Sequence, residues 1–217
     1  MKPLVAATVI LGAVTAMPAE RPPRFANRHF YDAKGNFLVE KAKDAYLTLM
    51  KFHGYPIFPG LRDKLSVSDF GTGRFLECGV GSITFCNDEK GRYMLMDIFL
   101  LPKQMLPEHW HEATDDAAPK LAGWLVRHGM AHVVTEGDSN LPADLIIPQC
   151  HAGGTVTAKH GVLVSPGEFV ALKRQGERHW LCAGPEGAIL TEVGTYHDRT
   201  GTRFLDPKIN DAYHGKK

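Results

Sequence analysis

Apolar positions along this chain follow two rhythms. From Phe37 to His53 the spacing is helical: Ala42, Ala45, Tyr46, Leu49 and Met50 recur at i, i+3 and i+4 and so share one face. Glu40, Lys41, Lys43, Asp44 and Lys51 fall mostly on the other faces, and Gly54 and Pro56 end the pattern. This predicts one amphipathic helix whose apolar stripe packs on a sheet. Ahead of it, Pro22 and Pro23 mark an extended arm over residues 20–35.

From Phe70 onward the rhythm shortens to brief runs separated by turns. Strands are expected over Arg74 to Val80, Ser82 to Asn87 and Arg92 to Leu101, with Asp88-Glu89-Lys90-Gly91 as a hairpin turn between the last two. Further strands are expected over Gly123 to Thr135, Thr155 to Lys159, Gly161 to Val164, Glu168 to Leu172, His179 to Ala183 and Ala188 to Val193. Gly137-Asp138, Gly153-Gly154, Pro166-Gly167 and Pro185-Glu186-Gly187 separate them. Roughly eight or nine short strands at this spacing predict an all-β fold, a closed or sandwich-like antiparallel barrel of the jelly-roll type. The chain thus divides into an arm and helix over residues 20–67 and a β-rich body over residues 68–217.

The first residues follow neither rhythm. Lys2 precedes an uncharged apolar or small run from Leu4 to Val14, small residues stand at Ala16 and Ala19, and charge begins at Glu20 and Arg21. This is the three-part form of a secretory signal over residues 1–19, too short in its apolar run for a comfortable membrane span. It predicts a mature chain that works in the periplasm or outside the cell, with no membrane attachment once the signal is removed. Composition narrows the picture further. With 44% hydrophobic and 23% charged residues among 217, the chain is not mainly disordered, and a formal net charge of +1 argues against a general nucleic-acid binder. The four cysteines, Cys78, Cys86, Cys150 and Cys182, contain no CxxC pair, which gives a cysteine zinc site poor support. Bridges between Cys78 and Cys86 or between Cys150 and Cys182 are open, with buried free thiols as the expectation for each.

The candidate chemistry lies in the histidines. His109-Trp110-His111 follows Pro107-Glu108, and two residues one place apart on a strand point to the same face, so both imidazoles can meet one ion. His179, in Gly176-Glu177-Arg178-His179-Trp180, supplies a third. Neutral imidazole suits first-row divalent metals such as Mn, Fe, Zn or Ni. Trp110, Trp124 and Trp180 are candidates to line a sugar pocket, with core packing the default for large aromatics.

An early HxH and a later GxxH resemble the two cupin motifs. More narrowly, Pro102-Lys103-Gln104-Met105-Leu106-Pro107-Glu108-His109-Trp110-His111 resembles the PxQxxPEHxH segment of the D-lyxose isomerase family of cupins. Gly184 to Val193 and Arg203 to Ile209 are similar to that family's later segments, so the resemblance runs from Ser68 to Ile209. It implies a cupin jelly-roll subunit, paired as a homodimer, that holds a divalent metal, often manganese, and acts on a small sugar. His109, His111 and His179 match metal ligands, Lys120 matches a lysine near the family's glutamate ligand, and Glu192 matches a glutamate in the same pocket. The implied reaction interconverts an aldose and a ketose through an enediol, a carboxylate moving the proton. This sequence departs from the family at one telling place: where a glutamate ligand belongs, two residues after Lys120, stands Ala122. Glu112, Asp115 and Asp116 are the nearby acids that can substitute. The alternative reading is a non-isomerase cupin with a three-histidine site, either a sugar-binding module or a metal-dependent oxidoreductase.

Overall fold

A computed structural model describes residues 21–215. The leader expected over residues 1–19 lies outside the described residues. The element order is α1 (Val39–Phe52), α2 (Leu61–Lys64), β1 (Ser66–Ser68), β2 (Val80–Asp88), β3 (Tyr93–Leu100), β4 (Met105–His111), β5 (Ala122–Thr135), β6 (His160–Val164), β7 (Phe169–Ala171), β8 (His179–Gly194), β9 (Thr202–Phe204) and α3 (Pro207–Tyr213). Among the described residues no helix is long and apolar enough to cross a membrane.

The helical stripe behaves as its spacing demands. Ala42, Ala45, Tyr46, Leu49 and Met50 are the buried residues of α1. They pack with Ile83, Phe99 and Ile189, so α1 covers one outer face of the sheet. The alternate residues of the same strands, Ile98, Leu100, Ala188 and Leu190, turn the other way and join Val126, Val133 and Leu181 inside the barrel. The Tyr46 hydroxyl donates to Gln104 Oε1 at 2.7 Å, which ties the helix to the turn ahead of β4.

The barrel is an antiparallel sheet in the order β1-β2-β3-β8-β4-β9, with β5 pairing β6, β7 and β8. It is the jelly-roll barrel expected from the strand pattern, with the cupin-type fold that the motif resemblance implies. Its backbone is formed by two long strands. β5 spans 14 residues and β8 spans 16, and they pair from Ala122↔Gly194 to Thr135↔His179. The sequence predicts two strands for the β8 region, divided by Pro185-Glu186-Gly187; the structure makes one bent strand. Gly187 (φ +78°) and Gly129 (φ +68°) carry the bend, and a Cβ on Gly129 would collide with the Gly187 carbonyl oxygen. The first half of β8 pairs with β4 and the second half with β3, so one strand frames both the site and the apolar plug behind it.

Other expectations fail for local reasons. Arg74 to Val80 is not a strand, because Glu77 and Cys78 donate their backbone N–H groups to the Arg74 carbonyl and close a helical turn. Its apolar Phe75 is instead a core residue, stacked against Phe30 and Phe37. Thr155 to Lys159 is also not a strand; the backbone N–H groups of Thr157 (2.7 Å) and Ala158 (3.2 Å) donate to the Glu108 carboxylate. That carboxylate is fully buried, so the PEHxH acid anchors a loop rather than facing the barrel interior. The segment between β5 and β6 packs Leu141, Leu145, Ile147, Cys150 and Val156 over Cys78, Met105, Val134, Trp180 and Cys182 on the outer face of the site strands.

Candidate metal centre

The site is built from β4 and β8. His109↔His179 is a register pair of these strands. A register shift between Leu106 and His109 lets Leu106 and then His109 and His111 all turn inward, a pattern strict alternation forbids. His109, His111 and His179 are all buried, and one ring nitrogen from each lies within 4.8 Å of the others. Among the described residues this is the group of ligating side chains that can hold a metal ion.

Hydrogen bonds orient the rings. His109 Nδ1 lies 2.8 Å from the Pro107 carbonyl and His179 Nδ1 lies 2.8 Å from the Glu177 carbonyl. A carbonyl only accepts, so both Nδ1 atoms carry hydrogen and both Nε2 atoms keep a lone pair. His111 Nδ1 faces the Thr202 hydroxyl at 3.4 Å, while its Nε2 is buried with no hydrogen-bond partner among the described residues. A buried polar atom without a partner costs about 1–3 kcal/mol, and a bound cation would remove that cost. Burial pushes the His109 pKa down to about 4 and holds His111 and His179 well below the ordinary imidazole value. All three rings are therefore neutral at physiological pH, the form that ligates. The donor set and the orphaned nitrogen both fit a divalent ion.

Beside the imidazoles lies a buried ion pair, Lys120 with Glu192, whose side chains are 5% and 6% exposed. The inward positions of β8 read Ala188, Leu190 and Glu192, so a carboxylate stands where the alternation calls for a third apolar residue. Burying two charges is expensive unless they pair, and a buried pair beside ligating side chains marks a candidate functional group. Glu192 is paired across the strands with Trp124, whose ring centroid is 5.2 Å from that of His179. Trp124 is 1% exposed and its indole N–H has no hydrogen-bond partner among the described residues.

The other two tryptophans do not line this site. Trp110 sits between two inward histidines and therefore faces outward, its indole donating to Glu112 and its ring under the Arg178 guanidinium at 3.8 Å. Trp180 is also outward, donating to the Ala158 carbonyl. Nor do the nearby acids replace the missing glutamate. Asp115 and Asp116 are exposed, and Glu112 is held by Arg203 at 3.0 Å. Ala122 itself is buried in the barrel cluster with Trp124. One neighbour of the site is not legible in the sequence. The His197 ring packs 5.2 Å from that of His111, its Nε2 is 3.1 Å from the Thr202 hydroxyl, and burial lowers its pKa to about 4. It lies in the loop after β8, with no partner spacing to betray it.

A barrel of this topology, with buried imidazoles on two paired strands, has the cupin-type fold. No family model matches the chain. Among curated proteins it is similar in particular to D-lyxose isomerases. It is 28% identical to the D-lyxose ketol-isomerase of Cohnella laeviribosi over 169 residues, covering 78% of this chain and 91% of that protein. It is 26% identical to the D-lyxose/D-mannose isomerase of Thermosediminibacter oceani over 175 residues, covering 79% and 92%. Among solved structures, the L-ribose isomerase of Cellulomonas parahominis superposes with a TM-score of 0.64 at 14% identity, covering 84% of this chain and 96% of that one. An L-ribose isomerase of Acinetobacter sp. DL28, in complex with L-ribose, gives a TM-score of 0.64 at 13% identity over 87% and 98%. These structures share the fold.

Proposed function

We propose that this protein is a metal-dependent aldose–ketose isomerase acting on a small sugar, of the D-lyxose isomerase kind. The observation that carries the reading is the convergence of His109, His111 and His179 beside the buried Lys120–Glu192 pair, in a chain that aligns with nearly the full length of D-lyxose isomerases. The three imidazoles would hold the divalent ion, with manganese the expected metal and iron, zinc or nickel also compatible with nitrogen ligands. Bound there, such an ion polarises carbonyl and hydroxyl oxygens of a sugar.

The chain's own residues supply the rest. Glu192 takes the C2 proton of the open-chain aldose. The C–H electron pair becomes the C1–C2 double bond of an enediol, and the carbonyl pair moves to O1, which takes a proton. Return of the proton from Glu192 to C1, with loss of the O2 proton, gives the ketose. Lys120 holds the Glu192 carboxylate in place through their ion pair, and the free Trp124 N–H offers a donor to a sugar oxygen. Export to the periplasm or beyond the cell and pairing into a homodimer complete the reading; the leader-like residues 1–19 support the first and the family resemblance the second.

A panel of pentoses and hexoses, assayed for aldose–ketose interconversion, tests the proposal. Activity should vanish on chelation and return with manganese. Glu192→Gln should lower turnover by about 10²–10⁴-fold while metal content stays unchanged. A panel with no turnover by fully metal-loaded protein would refute it. That result would favour the second reading, a non-isomerase cupin with a three-histidine centre, for which the buried Ala122 in place of the family glutamate speaks.

A further inference from the structure

Two thiols that the sequence does not pair are in contact. Cys78 lies in the turn ahead of β2 and is fully buried; Cys150 lies in the segment between β5 and β6 and is half-buried. Their sulfurs are 3.3 Å apart although the residues are 72 positions apart in sequence. Neither pairing left open by the sequence, Cys78 with Cys86 or Cys150 with Cys182, is the contact that forms. Glu77 Oε2 lies 3.8 Å from the Cys150 sulfur.

The surroundings make this pair a lever on the site. His151, next to Cys150, is fully buried; its Nδ1 donates to the Thr155 carbonyl at 2.9 Å and its Nε2 accepts the Glu108 backbone N–H at 3.1 Å. Ala152, in a left-handed conformation (φ 44°), donates its N–H to Asp206 at 2.6 Å. Glu108 immediately precedes His109. The loop that carries Cys150 is thus fastened to the strand that carries two of the imidazoles. A cavity of about 560 Å³ opens beside the pair, lined by Glu77 and Gln149, which directly precede the two cysteines, and by the cations Arg74 and Lys103.

We propose that Cys78 and Cys150 are a redox-active pair that closes to an intramolecular disulfide, stapling the β5–β6 segment to the base of β2 and β4. The two thiols differ in role. Contact with the Cys78 thiol lowers the Cys150 pKa, while the same contact and burial raise that of Cys78. Cys150, the more exposed and more acidic, is the attacking thiolate. With a disulfide oxidant such as oxidised glutathione, its sulfur bonds to one glutathione sulfur and the other glutathione leaves as thiolate. Cys78 then attacks the Cys150 sulfur, its proton passing to a glutathione thiolate, and the second glutathione leaves. Two protein thiols are oxidised and one glutathione disulfide is reduced to two glutathiones. The sulfurs need to approach by roughly 1.3 Å to reach bonding distance, a change that side-chain rotation in a half-buried loop supplies.

The test is independent of the isomerase reading. Full-length protein is equilibrated with oxidised or reduced glutathione, its free thiols are alkylated, and it is mapped by mass spectrometry without reduction. Oxidation should yield a single linked peptide pair containing Cys78 and Cys150, with Cys86 and Cys182 alkylated. The thermal midpoint should rise on the order of 5–10 °C on oxidation, and this rise should be absent in Cys150→Ser, a replacement at a half-exposed site that tolerates it. Retention of four alkylatable thiols in oxidised glutathione, or a link joining any other pair, would overturn the proposal.

Discussion

At the scale of single residues, the centre is defined by nitrogen atoms that have been left free. Two Nδ1 atoms are committed to backbone carbonyls, and the His111 Nε2 has no hydrogen-bond partner among the described residues. The same burial that keeps these rings neutral gives the metal-free protein a pH signature. His109 and His197 hold pKa values near 4 in the folded chain, whereas an unfolded histidine titrates near 6.5. Between those values the unfolded chain binds more protons, so stability rises with pH through this window and falls as pH drops from about 6.5 towards 4. Each such group contributes about 1.4 kcal/mol per pH unit inside the window. Urea unfolding of chelator-treated protein should therefore give a clearly lower midpoint at about pH 5 than at about pH 7. An unchanged midpoint would show that these rings are solvated and not where the structure puts them. At this scale the sequence was largely readable: HxH on a strand and a later GxxH locate the imidazoles. His197 was not, since it reaches the site only through the path of a loop. Trp110 was readable in principle, because a residue between two inward histidines must face out.

At the scale of elements, the helix and the strands differ in how openly the sequence declares them. The stripe of α1 is a one-dimensional pattern, and all five of its residues are buried as spaced. The continuity of β8 is not: Pro185-Glu186-Gly187 has the composition of a turn, and pairing with β3, β4 and the long partner β5 on either side of it keeps the chain in the sheet. Gly129 at the bend, set against Gly35 far from it, shows how. Gly129 and Gly35 both have positive φ, yet a Cβ on Gly35 meets open space while one on Gly129 meets the β8 backbone. Gly35→Ala should cost about 1 kcal/mol and Gly129→Ala at least about 2–4 kcal/mol in denaturant melts. Equal costs would mean that β5 and β8 do not cross closely at this point. The strands expected over Arg74 to Val80 and Thr155 to Lys159 fail for a related reason. Their apolar residues are apolar because they are buried, but their backbone partners are a helical turn and the Glu108 carboxylate, which periodicity does not reveal.

At the scale of the molecule, the barrel interior is divided between chemistry and packing. Ile98, Leu100, Val126, Val133 and Leu190 fill one part, and the imidazoles with Lys120–Glu192 fill the other. The outside is divided in the same way, with α1 over the packed part and the β5–β6 segment over the site strands. A polar cluster in the interior is tolerable only if its members are paired with one another, with the backbone or with a ligand. The ion pair and the two backbone-bound histidines meet that condition within the protein; His111 would meet it through a bound cation. Metal stoichiometry by elemental analysis, with cobalt titration followed by absorption, is the most direct measurement of this. About one divalent ion per chain is expected, and its loss in His111→Ala with the fold retained. Wild-type protein that retains no divalent ion after manganese or cobalt loading, or a His111→Ala variant that binds as tightly as wild type, would contradict it.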